Sequence, residues 1–210
     1  MTRALAVLRP EPGNAATAAR IEAEGMRAIR LPLFEVVPVA WRAPDPAGYG
    51  ALLVTSANAI RHGGPELDRL RHLPVFAVGE ATAAAARAAG FAVESVGKGG
   101  VAAIAARTRG KRALHLAGRD RVEAGAHAIT VYASDPLPID PAPLLGSIAL
   151  LHSARAAARL AEIAPDKSRI AIAAISLAAA KAAGPGWAAL VVAGEPTDAA
   201  LIAAARGLAD

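Results

Sequence analysis

Short apolar runs alternate with alanine-rich stretches of helical periodicity along most of this 210-residue chain. A short apolar run between turn residues is typical of a buried strand, and a helix often ends at a glycine. The predicted strands cover residues 4–8, 51–54, 75–78, 92–96, 113–117, 129–132, 148–151, 170–175 and 190–193. The predicted helices include residues 14–25, 80–89 and 101–107. Because alternating strands and helices form parallel sheets, the pattern predicts an α/β protein.

The strand-and-helix pattern contains an internal repeat. Residues 52–57 (LLVTSA) recur as residues 149–154 (ALLHSA), and residues 76–79 (FAVG) recur as residues 173–176 (AAIS), with the same offset of 97 positions. A repeat of this length is too long for a solenoid. It indicates two similar α/β domains, and we expect a ligand-binding cleft between them.

The second copy of the repeat lacks an opening strand and helix, which residues 1–25 can supply. This predicts a discontinuous domain made of residues 1–35 and 138–210, with an inserted domain at residues 40–130. The chain then crosses between domains near residues 30–40 and 131–138. Pro32 and Pro38 favour an extended edge segment at the first crossing. The two crossings are expected to pair as a two-stranded linker.

Composition restricts the partners. The chain has 23 Lys and Arg against 18 Asp and Glu, and its net charge of +5 favours an anionic partner. Basic residues are scattered and aromatic residues make up only 3%, which does not favour nucleic acid. No apolar stretch reaches the roughly 20 residues of a membrane helix, and no secretory signal is apparent. We therefore expect a soluble, cytoplasmic protein without a membrane partner.

Several common chemical motifs are missing from the sequence. Cysteine is absent, which excludes disulfides and thiolate chemistry. The five histidines lack a paired helical spacing with carboxylates, so no metal site is expected. Residues 97–100 (GKGG) lack the Lys-Ser/Thr ending of a Walker motif, so a phosphate loop is not predicted.

Small polar residues follow several of the predicted strands. Ligands of parallel sheets bind at the carboxyl ends of the strands, where turns expose amides and helix N-termini. The candidates at these ends are Arg9, Thr55, Ser56, Gly79, Thr82, Gly118, Arg119 and Ser153. A single Ser or Thr at such a turn is about as well explained by a helix cap, so the prediction depends on the whole set.

Two of the candidate residues have alternative interpretations. Arg119 precedes Asp120 and Arg121, so it either binds an anion or belongs to a solvated charge cluster. Tyr132 lies where the chain should cross between domains. Its phenol either donates a hydrogen bond into the cleft or packs at the hinge.

Taken in order, the motifs resemble the uroporphyrinogen-III synthase family over essentially the whole chain. The matching segments are residues 7–10 (VLRP), 55–59 (TSANA), 78–83 (VGEATA) and 118–121 (GRDR), together with Tyr132 and Ser153. The resemblance implies two Rossmann-like parallel-sheet domains joined by a two-stranded linker. It also implies closure of linear hydroxymethylbilane to uroporphyrinogen III, with loss of water and inversion of the last pyrrole ring. No cofactor or metal is implied, and a monomer is expected.

The resemblance also implies roles for residues. Tyr132 is the candidate hydrogen-bond donor to the departing hydroxyl group. A substrate that carries eight carboxylates would be bound by hydroxyls, turn amides and added positive charge. The residues expected to bind it are Arg9, Thr55, Ser56, Ala57, Gly79, Thr82, Gly118, Arg119 and Ser153.

The second copy of the Gly-x-x-Thr turn departs from the family pattern. Ser176 stands in place of the glycine, and Ala179 stands where the first copy has Thr82. A noncatalytic protein that binds an anionic tetrapyrrole or another small acid is the alternative function. An alanine-rich structural module is a further alternative, but the polar residues at the strand ends argue against it.

Overall fold

The computed structural model describes residues 3–97 and 100–209. The chain forms two compact units: unit 1 contains Met1–Glu35 and Pro136–Asp210, and unit 2 contains Val36–Asp135. In chain order the elements are β1 (Leu5–Val7), α1 (Gly13–Ala23), β2 (Ala28–Arg30), β3 (Phe34–Pro38), β4 (Ala51–Val54), α2 (Ala57–Arg61), β5 (Val75–Ala77), α3 (Glu80–Ala88), β6 (Val93–Val96), α4 (Gly100–Ala106), β7 (Ala113–Gly118), β8 (His127–Pro136), β9 (Ile148–Leu151), α5 (Ala154–Ile163), β10 (Ala171–Ala174), α6 (Leu177–Ala183), β11 (Ala189–Val192) and α7 (Asp198–Arg206). Short 3₁₀ helices cover Pro46–Gly48, Gly64–Leu70, Ala142–Leu144 and Lys167–Arg169.

Unit 1 is built on a five-stranded sheet with the order β11-β10-β9-β1-β2. All of its paired strands run parallel. One face buries Leu160 of α5 and Ala183 of α6, and the other face buries Ile21 of α1 and Ile202 of α7. Helices therefore cover both faces of the sheet, which is why its central strands consist of continuous apolar runs.

Unit 2 is built on a six-stranded sheet with the order β3-β8-β7-β4-β5-β6. The pairs from β8 through β6 are parallel. One face packs against α2 and α3 through Ile60 and Ala86, and Ile104 of α4 packs against the other face. The prediction of an α/β protein with parallel sheets is confirmed.

The repeat of the sequence is also a repeat of the structure. Strands β4 and β9 occupy equivalent positions, since the offset of 97 residues brings one onto the other. Both lie at the centre of their sheets. In unit 1, β1 pairs with β9 as β7 pairs with β4 in unit 2. Strand β1, the first of the chain, thus occupies in unit 1 the position that β7 occupies in unit 2.

The predicted extended edge segment near residues 30–40 contains the end of β2 and the whole of β3, and each of these strands lies at the edge of its sheet. The amides of Leu31 and Leu33 still donate to the carbonyls of Val7 and Leu8. Pro32, which has no N–H to donate, lies between β2 and β3. Strand β3 then lies beside β8, and both strands carry the chain from one unit to the other. These two strands form the linker of the predicted fold.

Strand β8 is longer than its apolar run suggested. The run at residues 129–132 predicted a short strand, whereas the structure extends it over His127–Pro136. Pairing with β7 on one side and β3 on the other supplies hydrogen-bond partners for its polar ends. Pairing partners, rather than hydrophobicity, therefore set the length of this strand.

Candidate functional site at the carboxyl ends of the strands

The turn after β4 holds two adjacent hydroxyl groups. Ser56 is the N-cap of α2, and its Oγ accepts the backbone N–H of Asn58 at 3.2 Å. The Oγ1 atom of Thr55 lies 3.0 Å from Nε2 of His115, a buried residue of β7. Ala57, the first residue of α2, is buried. Ser56 is therefore a helix cap, and Thr55 lies beside an imidazole that the sequence motifs do not include.

The turn after β5 holds Gly79 and Thr82 at the start of α3. The carbonyl of Gly79 accepts the amides of Thr82 and Ala83 at 3.1 and 3.0 Å. Gly79 is extended, and a Cβ atom there would meet no atom within 4 Å. The hydroxyl of Thr82, which is 5% exposed, makes no hydrogen bond with the described residues. This turn thus combines open space with an unused hydroxyl.

Gly118 and Tyr132 meet at the carboxyl end of β7. The two residues are register partners, and the Arg119 amide donates to the Tyr132 carbonyl at 2.9 Å. A Cβ atom at Gly118 would lie 2.8 Å from Cζ and 2.9 Å from Oη of Tyr132. A side chain at position 118 would therefore have to displace the phenol ring. The ring also packs against the apolar core of unit 2.

The Arg119 side chain forms an exposed ion pair. Its Nη1 atom lies 2.7 Å from Oδ1 of Asp135, and the two side chains are 57% and 46% exposed. Arg121 donates to Thr130 Oγ1 at 3.1 Å instead. The Arg119 guanidinium is therefore paired with an acid at the surface, and an anionic ligand would have to displace Asp135 to reach it.

The carboxyl edge of unit 1 is organised around Asp198, the first residue of α7. Its carboxylate accepts the Thr17 hydroxyl at 2.9 Å, His152 Nε2 at 2.7 Å and the guanidinium of Arg20. Nη1 of Arg9 lies 3.6 Å from the same carboxylate. These groups come from α1, α7 and the ends of β1 and β9. A single acid of the last helix therefore joins the first strand and helix of the chain to the turn after β9.

Arg9 is held in place from several sides. Asn14 donates from Nδ2 to the carbonyls of Val7 and Arg9, at 2.7 and 3.0 Å. The guanidinium of Arg9 covers Gly13, where a Cβ atom would overlap it. The Arg9 side chain is 35% exposed, so part of its charge remains accessible at the strand end.

The Asp198 network shifts two pKa values. Burial alone would raise the pKa of Asp198, but hydrogen bonds from His152, Thr17 and Arg20 outweigh burial and lower it. Burial lowers the pKa of His152, and the charge of Arg9 lowers it further, against the opposing effect of Asp198. Near neutral pH the network therefore holds an ionised acid and a neutral imidazole.

The remaining turns of unit 1 are helix caps. Ser153 Oγ accepts the Ala156 amide at 3.1 Å, and Ser176 Oγ accepts the Ala179 amide at 3.3 Å. Ser176, which replaces the family glycine, thus caps the N-terminus of α6. The equivalent residue of unit 2, Gly79, leaves the N-terminus of α3 without a side-chain cap. Ala179 is fully buried and supplies no hydroxyl.

The structure distributes the predicted residues over two edges. Because the strands that precede these turns run parallel within each sheet, their carboxyl ends lie along one edge of that sheet. Unit 2 brings together Thr55, Ser56, Ala57, Gly79, Thr82, Gly118, Arg119 and Tyr132. Unit 1 brings together Arg9 and Ser153. His115, His152 and Asp198 were missed, because only the fold shows that each imidazole is buried beside an oxygen atom.

The described residues contain neither a metal-type cluster nor a membrane-spanning helix. No cluster of three or more His, Asp or Glu side chains in residues 3–97 and 100–209 could hold a metal ion. Within the same ranges, no helix combines the length and apolar character that a bilayer crossing requires. Lys98 and Gly99, part of the glycine-rich segment at residues 97–100, lie outside the described residues.

The fold defines a class of protein with two parallel α/β units, and the same fold occurs in solved structures. A uroporphyrinogen-III synthetase from Helicobacter pylori aligns with a TM-score of 0.69 and 18% identity, over 99% of this chain and 100% of that one. A mutant uroporphyrinogen III synthase from Thermus thermophilus aligns with a TM-score of 0.56 and 17% identity, over 98% of each chain. At these identities the alignments establish the fold.

The sequence itself establishes the family. A family model described as uroporphyrinogen-III synthase HemD matches residues 15–203. The chain therefore belongs to the uroporphyrinogen-III synthase family, and the resemblance found from its motifs is confirmed. A comparison with curated proteins found no match.

Proposed function

We propose that this protein is a lyase that closes linear hydroxymethylbilane to uroporphyrinogen III, with loss of water and inversion of the last pyrrole ring. The family match over residues 15–203 carries this proposal. Membership of the family implies an enzyme of heme biosynthesis with a small-molecule substrate. The family match does not favour the alternative, a noncatalytic protein that binds an anionic tetrapyrrole.

In the proposed mechanism, Tyr132 donates a hydrogen bond to the departing hydroxyl group, which takes up one proton from the solvent and leaves as water, and ring closure later returns one proton. The cation that remains is stabilised by the pyrrole nitrogen, so positioning matters more than a strong acid. The tight seat of the ring on Gly118 supports this role, because it restricts where the phenol can lie. The hydroxyl of Tyr132 also makes no hydrogen bond with the described residues, and so its capacity to donate is unused.

Hydroxyl groups and turn amides bind the substrate carboxylates in this proposal. Thr55 and Thr82 supply hydroxyls in unit 2, and Ser56 and Ser153 supply the helix N-termini that they cap. Gly79 leaves space for a close approach to its turn. The net charge of +5 favours an anionic substrate in general.

Two arginines and two small residues complete the proposed set. Arg9 contributes its accessible charge in unit 1, and Arg119 contributes charge once a substrate carboxylate displaces Asp135 from it. Ala57 contributes the backbone at the start of α2, and Gly118 acts through Tyr132. An exposed ion pair such as Arg119–Asp135 contributes at most ~1 kcal/mol, so replacing Asp135 with a substrate carboxylate costs little free energy.

The isomer of the product tests this function. Freshly generated hydroxymethylbilane is supplied to the purified protein, and the type I and type III uroporphyrin isomers are separated after oxidation. Type III isomer above the spontaneous background supports the synthase. Only type I isomer, with the product still bound tightly, would contradict it and support the noncatalytic alternative.

The same assay tests Tyr132. We expect Y132F to lower kcat by about tenfold to hundredfold, because a phenyl ring keeps the packing and removes the donor. The matched control is Y49F, which changes the other tyrosine of the chain, a residue that contacts His127. Equal rates for Y132F and Y49F would contradict the role of Tyr132.

We also propose that the protein works as a monomer in the cytoplasm. The family and the lack of a membrane-crossing helix among the described residues are consistent with this. Size-exclusion chromatography with light scattering measures the mass directly, and a mass near 21.1 kDa is expected. A mass of twice that value would contradict the monomer.

A further inference from the structure

His115 is a buried imidazole for which the proposed mechanism has no use. It lies in the middle of β7 and is 1% exposed. Its Nε2 atom is 3.0 Å from Thr55 Oγ1, and its Nδ1 atom has no hydrogen-bond partner among the described residues. A buried polar atom without a partner is uncommon and restricts which tautomer the ring can adopt.

The His115 ring is neutral near neutral pH. Burial lowers the pKa of His115, and the positive charge of Arg121 lowers it further, while Glu123 opposes the shift. A neutral imidazole carries one N–H, which lies on either Nδ1 or Nε2.

The two tautomers of His115 differ in which hydrogen-bonding group of Nδ1 they leave without a partner. With the proton on Nδ1, a buried N–H has no acceptor and Thr55 must donate its hydroxyl proton to Nε2. With the proton on Nε2, the ring donates to Thr55 Oγ1 and only a lone pair on Nδ1 stays unpaired. Buried N–H groups without an acceptor are the rarer and more costly case. The second tautomer is therefore favoured.

This tautomer determines what the Thr55 hydroxyl can do. Its oxygen accepts from His115, so its own proton is left to donate elsewhere. Thr55 makes no other side-chain hydrogen bond with the described residues, and it is partly exposed at the carboxyl edge of the sheet. The next residue, Ser56, already uses its oxygen to cap α2.

We propose that His115 is a positioning residue that donates from Nε2 to Thr55 and so commits the Thr55 hydroxyl to donating toward a carboxylate of the bound ligand. The direction of the hydrogen bond follows from the unpaired Nδ1 atom of a neutral, buried ring and does not depend on the ligand. The choice of a carboxylate ligand rests on the proposed function.

Nitrogen NMR of the wild-type protein tests the direction of this bond without a ligand. A long-range ¹H–¹⁵N spectrum of the labelled protein distinguishes a ring nitrogen that carries hydrogen from one that does not. The His115 signals are assigned by their loss in H115Q. We expect a protonated Nε2 and an unprotonated Nδ1. The reverse pattern, or a ring protonated on both nitrogens at pH 7.5, would overturn the proposal.

Binding of uroporphyrin III tests the consequence for Thr55. This oxidised product keeps the eight carboxylates of the substrate, and its fluorescence reports binding. We expect T55V to raise Kd by about fivefold to tenfold, because a hydrogen bond to a charged group is lost. H115M should raise Kd by about threefold. H115Q should remain near wild type, because its amide N–H replaces Nε2–H.

The double variant separates positioning from general damage to the fold. In a protein that already carries T55V, we expect H115M to have no further effect on Kd, because His115 acts only through Thr55. Equal losses from H115Q and H115M, or additive losses in the double variant, would overturn the proposal. These measurements need no turnover, so a protein that shows the expected pattern but forms no type III isomer contradicts the proposed function and leaves the role of His115 intact.

Discussion

The turns after β4 and β9 occupy the same position in the repeat, but they carry different chemistry. Thr55 follows β4, and His152 follows β9 at an offset of 97 residues. Thr55 meets the neutral imidazole of His115, whereas His152 meets the ionised carboxylate of Asp198. The equivalent turns thus place a hydroxyl that can still donate a hydrogen bond in unit 2, and an imidazole that already donates to a carboxylate in unit 1.

The second pair of turns shows the same contrast. Gly79 leaves open space and an uncapped helix start, and Thr82 beside it has an unused hydroxyl. In unit 1, Ser176 uses its hydroxyl to cap α6, and Ala179 has none. Both units use a serine to cap the helix after the first of these turns, Ser56 in unit 2 and Ser153 in unit 1. We infer that unit 2 keeps the Thr55 and Thr82 hydroxyls available for a ligand, whereas unit 1 uses the equivalent positions for its ionic network and its core. Arg9 and Ser153 remain the proposed binding residues of unit 1.

Removal of the Asp198 carboxylate should have the largest effect. In D198A, the buried Thr17 hydroxyl and the buried N–H of His152 lose their acceptor, and each such loss costs about 1–3 kcal/mol. We expect the free energy of unfolding to fall by about 2–3 kcal/mol in urea titrations. The control D135A removes an exposed ion pair in unit 2 and should cost less than ~1 kcal/mol. Equal costs would show that unit 1 does not depend on its ionic network.

A methyl group at Gly118 should separate position from stability in unit 2. G118A pushes against the end of the Tyr132 ring, which can move aside at modest cost but then leaves its seat. We expect type III isomer formation to slow by about tenfold, with an unfolding free energy within ~1 kcal/mol of wild type. G79A is the matched control for stability, because its methyl group meets open space. An unchanged rate of type III isomer formation in G118A would contradict the proposal that the position of the Tyr132 ring on Gly118 matters for the reaction.

Two serine caps of unit 1 should differ only in substrate binding. S153A and S176A each remove one N-cap, which costs about 1 kcal/mol of stability in thermal or urea unfolding. We expect only S153A to raise KM, because Ser153 belongs to the proposed binding set and Ser176 does not. A similar rise of KM in S176A would contradict the division of roles between the two units.

The smallest expected effect is a gradual dependence of the free energy of unfolding on pH. It is gradual because the titration of a histidine extends over more than one pH unit. His115 and His152 have folded pKa values below the ordinary value of 6.5, so the unfolded chain binds more protons as pH falls through that value. Their contribution is present above about pH 6.5 and declines below it. The lowered pKa of Asp198 adds a loss only below its ordinary value of 3.8. Urea unfolding between pH 8 and pH 5 measures the slope, and H115Q should reduce it. A slope unchanged in H115Q would contradict the buried neutral ring.

Local hydrophobic pattern accounts for much of the fold. The continuous apolar runs identified the central strands, because a parallel sheet covered by helices on both faces needs apolar residues throughout. Strand β9 lies where its run predicted it, at Ile148–Leu151. The pattern failed where pairing partners decide the outcome, as for the polar ends of β8.

The sequence by itself determined the α/β class, the repeat, the family and the turns on which the candidate residues lie, because these depend on the spacing of residue types along the chain. Only the tertiary structure decided that Tyr132 rests on Gly118, that His115 reaches Thr55, and that Asp198 joins Arg9 to His152. These contacts join residues that are distant in the sequence, and burial alone distinguishes their histidines from solvated ones. Partner, tautomer and pKa are properties of the folded surroundings, which no local pattern contains.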